Sequence, residues 1–119
     1  MTAIINEATL KRLAVEVGQE TVALLLEVFS GELEQYLQQL TEQPSVMQIR
    51  EISHAIKSSA ASFGADELAQ MAQECESRVK QGQESWVNDH LPELQQLVGD
   101  MAQQYRHLAS NQEAFNRIF

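Results

Sequence analysis

The run His54-Ala55-Ile56-Lys57-Ser58-Ser59-Ala60-Ala61-Ser62-Phe63-Gly64-Ala65 reads as a helix that ends at a glycine turn and carries a histidine on its wet face. Successive helical residues are rotated by about 100°. Ile49, Ile52, Ile56, Ser59/Ala60 and Phe63 therefore share one side, a stripe that must face a core. Arg50, His54, Lys57, Ser58 and Ala61 follow the opposite line, so an imidazole stands between two cations among small side chains. Ser45 and Gln48 form an S-x-x-Q capping box that starts the helix, expected over Val46–Ser62.

Working outward, Gly64 supplies a permissive turn, and Asp66 and Glu67 put negative charge in the first turn of the next helix, where the dipole favours it. The stripe of that helix is Leu68, Met71/Ala72, Cys75 and Val79, ending before Gly82. Gln83 to Asn88 reads as a connecting loop, with Trp86 packing over one end of the molecule. Asp89 is the expected cap of the last long helix and Pro92 lies in its first turn, where a missing N–H costs nothing. Leu91, Leu94, Val98, Met101, Tyr105 and Leu108 continue it at steps of three and four. Before the histidine helix, Asn6 caps a short helix through Leu10, Leu13, Ala14 and Val17 that stops near Gly18. A long helix then spans about Gln19 to Leu40, tolerating Gly31 at some cost. The expected fold is all-α, an antiparallel up-down four-helix bundle with a short additional N-terminal helix. Residues 1–119 are read as a single domain, and 110–119 as a tail that extends the last helix, docks or frays.

A chain of 119 residues is long enough to bury one continuous core. Its 17 acidic and 8 basic residues give a net charge of -9, which repels nucleic acid and anionic membrane surfaces and leaves a protein as the expected partner. The single Cys75 cannot form an intramolecular disulfide, and the N-terminus has no basic segment followed by an apolar stretch. No apolar run approaches the roughly 20 residues of a membrane span. A soluble, cytoplasmic monomer is expected.

The chemistry centres on His54. Positions 54 and 76 lie equally far from Ala65, eleven residues either way, so Glu76 should stand level with His54, each about 16 Å from the turn. A carboxylate that accepts the Nδ1–H fixes the tautomer and leaves the Nε2 lone pair facing solvent, as a nucleophilic imidazole requires. Lys57 and Arg50, about one turn either side, can stabilise a phosphoryl group or an acidic partner surface. Other chemistries lack support. Glu51 and His54 make one E-x-x-H pair, but a di-iron bundle needs a second pair and further inward glutamates. His90 and His107 sit near helix ends, as surface or capping groups, and Cys75 falls on an apolar stripe as a small buried hydrophobe. There is no nucleotide-binding loop and no G-x-S-x-G elbow, so no kinase or hydrolase machinery is expected, and no cofactor or metal ligands.

The twelve-residue run from His54 to Ala65 resembles the H-x-[LI]-K-[GS]-[SA]-[SA]-x-x-[LFV]-G motif of histidine-containing phosphotransfer (HPt) domains. Chain length and helix order also resemble free-standing bacterial members, and Glu51 through Asp66 is especially similar to the family's quorum-sensing branch. The resemblance implies that His54 accepts a phosphoryl group on Nε2 from the receiver domain of a hybrid sensor kinase and passes it to the aspartate of a downstream response regulator. It further implies that Lys57 assists the phosphoryl group and that Glu76 occupies the position of a Gln or acidic residue beside the imidazole. Small residues Ala55, Ser58 and Ala61, with Arg50, become the expected docking face, although Ser58 departs from the commoner glycine. The receiver would bring the divalent metal. The alternative reading is a helical adaptor that binds a partner without chemistry.

Overall fold

The computed structural model describes residues 3–119, so the first two residues of the expected domain lie outside the described residues. The chain folds into α1 (Glu7–Val17), α2 (Gln19–Thr41), α3 (Val46–Phe63), α4 (Asp66–Lys80), α5 (Glu84–Ser110) and α6 (Gln112–Ile118), with no strand among the described residues. The four long helices make the bundle: α2 lies along α5, α3 lies along α4, and α4 against α5 joins the two pairs. The core between them is built from the stripes, including Leu26, Phe29 and Leu33 of α2, Ile49, Ile52 and Ile56 of α3, Leu68 and Ala72 of α4, and Leu94, Val98 and Met101 of α5. Burying such aliphatic side chains contributes about 1.5–3 kcal/mol each.

Local chemistry sets the α3–α4 hairpin that carries His54. Ser45 and Gln48 form the reciprocal capping box, with Gln48 N–H to Ser45 Oγ at 3.1 Å and Ser45 N–H to Gln48 Oε1 at 2.8 Å. Gly64 closes the helix in the left-handed region at φ 83°. A Cβ there would also lie 2.6 Å from the Asn6 carbonyl oxygen, so backbone shape and contact both demand glycine. That contact is structural. The Asn6 N–H donates to the Gly64 carbonyl at 2.8 Å and Asn6 Nδ2 donates to Asp66 Oδ2 at 2.9 Å, so the cap of α1 is pinned to the hairpin turn. From the opposite side Tyr105 donates its hydroxyl to the Phe63 carbonyl at 2.6 Å, while its ring meets Phe29 edge-on. Gln104 Nε2 donates to the Ala3 carbonyl at 2.7 Å, bringing the N-terminal segment to the same pole.

The start of α5 differs from the sequence expectation. Residues 84–88 are helical, not a loop, the cap is Gln83 without a side-chain hydrogen bond, and Asp89 lies inside the helix. Pro92 is therefore an interior proline. Val87 explains the extension, because it is buried at the correct step before Leu91 and Leu94 and carries the stripe back past the proline. Pro92 has no N–H to give the Asn88 carbonyl, and both residues are exposed, at a place on the helix where a missing backbone bond is tolerated. Trp86 is half-buried at this end, its ring stacked on His90 at 3.8 Å and covered by the Arg78 guanidinium at 4.7 Å. At the other end residues 112–118 form α6, whose cap Asn111 accepts from the Ala114 N–H at 2.9 Å and whose Phe115 is buried.

Candidate functional site

Counting residues around the α3–α4 turn places His54 level with Glu76, and the side chains meet there: His54 Nδ1 lies 2.5 Å from Glu76 Oε2. The two differ sharply in exposure, 71% for the imidazole and 6% for the carboxylate. A buried carboxylate needs compensating partners, since desolvation penalises its charged form. Glu76 has them. Lys57 Nζ donates to Oε1 at 2.7 Å, and Lys80 Nζ lies 3.9 Å from Oε2. The Lys57 hydrogen bond is the main force holding the Glu76 carboxyl below the usual carboxylate range, aided by the His54 hydrogen bond and the charges of Lys57 and Lys80, against the upward push of burial.

An ionised carboxylate has no proton to give, so Nδ1 is the donor in the His54–Glu76 bond. A neutral His54 then carries its one proton on Nδ1 and presents the Nε2 lone pair to solvent. Exposed ring, buried anchor and fixed tautomer together make a nucleophile that is oriented from behind and open in front.

The surroundings divide into two kinds. Ser58 and Ala61 are exposed and Ala55 is half-buried on the same face, leaving a low surface beside the ring. On the other side a shallow groove of about 410 Å³ is lined by Met47, Arg50, Glu51, His54, Glu76 and Lys80. Arg50 is half-buried on that wall and makes no ion pair among the described residues, and Met47 keeps 56% of its surface exposed. Arg50, Lys57 and Lys80, three of the eight basic residues in a chain of net charge -9, surround His54 together with the carboxylates of Glu51 and Glu76.

Residues 24–111 match the Hpt domain family, most of the chain. The chain belongs to that family. Among relatives of the Hpt chain, the phosphorelay protein LuxU of Vibrio cholerae serotype O1 is 39% identical over 107 residues, covering 87% of this chain and 95% of that protein. LuxU of Vibrio vulnificus is 42% identical over 98 residues, 80% of each chain, and LuxU of Vibrio harveyi is 40% identical over 85 residues, 69% and 75% of the two. No solved structure is a significant match for this Hpt chain.

The site contains three features that sequence reasoning did not supply. Glu76 is buried; Lys57 is bonded to that carboxylate instead of standing free; and Lys80 lines the groove. The signal for Lys80 was present, because it lies four residues beyond Glu76 on the same helix face. Ser53, immediately before His54, is fully buried with no hydrogen-bond partner for Oγ among the described residues. His90 lies away from the site, its Nδ1 2.7 Å from the Trp86 carbonyl. Cys75 is buried, which raises its thiol to about 11 and keeps it protonated, with Glu74 and Glu93 adding to the shift. No helix among the described residues is long and apolar enough to cross a membrane, and none of the described His, Cys, Asp and Glu residues form a cluster fit to hold a metal ion.

Proposed function

We propose that this chain is a phosphohistidine carrier in a bacterial multistep phosphorelay, of the quorum-sensing type, with His54 as the acceptor. The observation that carries the reading is the exposed His54 ring anchored through Nδ1 to the buried carboxylate of Glu76. The Nε2 lone pair attacks the phosphorus of an aspartyl phosphate on the receiver domain of a hybrid sensor kinase. The N–P bond forms, the bond from phosphorus to the aspartate oxygen breaks, and the carboxylate leaves. Positive charge grows on the imidazole during attack, and Glu76, which accepts the Nδ1–H, compensates it. The reverse attack by the aspartate of a downstream response regulator discharges the carrier.

Lys57 acts first on Glu76, holding the orienting carboxylate ionised and in place. Arg50, Ala55, Ser58 and Ala61 form the docking face, on which small side chains permit the near approach that in-line transfer needs. The carrier has no ATP-dependent kinase activity and no cofactor of its own; the receiver brings the divalent metal. It works as a cytoplasmic monomer, one domain over residues 1–119, without nucleic-acid or membrane partners.

The test is incubation with a phosphorylated cognate receiver, scoring acid-labile, alkali-stable phosphate on the carrier. Wild type should acquire the label and His54→Gln should acquire none while remaining folded, because the replaced ring is exposed and Lys57 still bonds to Glu76. A receiver that binds wild type without transferring phosphate would make the protein an adaptor.

A further inference from the structure

Lys80 lies outside the motif that surrounds His54. It stands one turn beyond Glu76 on α4, with its side chain 51% exposed. Because α3 and α4 run antiparallel around Gly64, a turn onward on α4 is level with a turn back on α3. Lys80 is therefore beside Arg50, on the opposite side of His54 from Lys57, and the groove at the imidazole is lined by Lys80 and Arg50 but not by Lys57.

The two lysines also differ in freedom. Lys57 Nζ donates to Glu76 Oε1 at 2.7 Å, and withdrawing it would remove a hydrogen bond from a buried carboxylate. Lys80 Nζ, 3.9 Å from Oε2, is beyond hydrogen-bond range and can turn to a new anion without breaking a bond. Building on the carrier reading, we propose that Lys80 is the cation that binds the phosphoryl group once it is on His54 Nε2, while Lys57 stays on Glu76. The phosphoryl oxygens then occupy the groove bounded by Lys80 and Arg50.

Phosphoramidate tests this without any partner protein. The Nε2 lone pair forms the N–P bond, the donor's P–N bond breaks, and the donor nitrogen leaves as ammonia with the protons it already carries. Phosphorus NMR then follows the pH titration of the phosphohistidine, over the neutral and alkaline range in which the acid-labile bond survives, in wild type, Lys80→Gln and Lys80→Arg. A nearby cation favours the deprotonated form, so Lys80→Gln should raise the titration midpoint by about half a pH unit, and Lys80→Arg should keep the wild-type value. At a pH where His54 is neutral, the unphosphorylated ring should keep its proton on Nδ1 in all three. A Lys80→Gln midpoint equal to wild type overturns the assignment, and so does a shift of that proton to Nε2, which would mean that Lys80 acts through Glu76. Wild type that takes no phosphoryl group from phosphoramidate would sink the carrier reading itself; normal uptake with an unmoved titration sinks the role of Lys80 alone.

Discussion

Glu76 uses one carboxylate oxygen on His54 and the other on Lys57, so its removal strands a ring on the surface and an ammonium beside it. Partners that orient metal-bound histidines are worth about 10- to 100-fold in function, and a loss of the same order in transfer rate is expected for Glu76→Ala. Glu76→Gln should be milder, because its amide oxygen still accepts the Nδ1–H. Stopped-flow transfer rates measured beside nitrogen NMR of the ring check both halves: equal rates and an equal tautomer in all three proteins would make the acid idle. The same carboxylate gives a pH dependence of definite sign. Its pKa is lowered by folding, chiefly through the Lys57 bond, so its stabilisation is complete above the unfolded carboxyl value, about 4.3, and is lost as pH falls through the folded one. Denaturant melts below pH 4 should show wild type losing more stability than Glu76→Gln; parallel profiles would contradict the assignment. At this scale His54 and its partner were legible by counting from Ala65, since helical rise is fixed. Burial of Glu76 was not, because a glutamate in an amphipathic helix reads as solvated until the neighbouring helix covers it.

Among the elements, α3 bears both the reactive face and the inner stripe, and each face has its own test. Ile56→Ala empties a fully buried site and should lower stability by about 2–5 kcal/mol. Urea unfolding that shows no change would put the helix in the wrong phase. Ser53→Ala runs the other way: the buried Oγ has no partner among the described residues, so replacing it by a methyl group should raise stability by about 1 kcal/mol. A fall in the unfolding midpoint would reveal a hydrogen bond made by that hydroxyl. The start of α5 shows where periodicity and punctuation compete. Asp89 before Pro92 makes a proper helix start on local rules, and only the burial of Val87, a property of the assembled core, carries the helix back to Glu84. By contrast, Ser45 with Gln48 and Asn6 with Thr9 satisfy donors within their own turns, so the starts of α3 and α1 could be read locally.

For the molecule as a whole, the proposed function requires a partner to reach Nε2 across the face that holds Ala55, Ser58 and Ala61. Ser58→Trp should slow transfer from a receiver on the order of a hundredfold, through lost approach geometry, while labelling by phosphoramidate stays within a few-fold of wild type. Transfer at the wild-type rate would move the docking face elsewhere. The antiparallel bundle and its α3–α4 hairpin were legible from stripes and short connections, whereas the pairing of α2 with α5, which no short connection joins, and the seating of Phe115 were not, since a seven-residue helix has too few positions to display a phase. One arrangement has a mechanical consequence. Ala3 is tied to Gln104, Asn6 to the α3–α4 turn, and Ala3, Ile4 and Ile118 line one pocket, so both ends of the described chain gather at the pole about 16 Å along α3 from His54. Both described chain ends therefore lie clear of the imidazole, so a fusion made at either would leave the His54 face open.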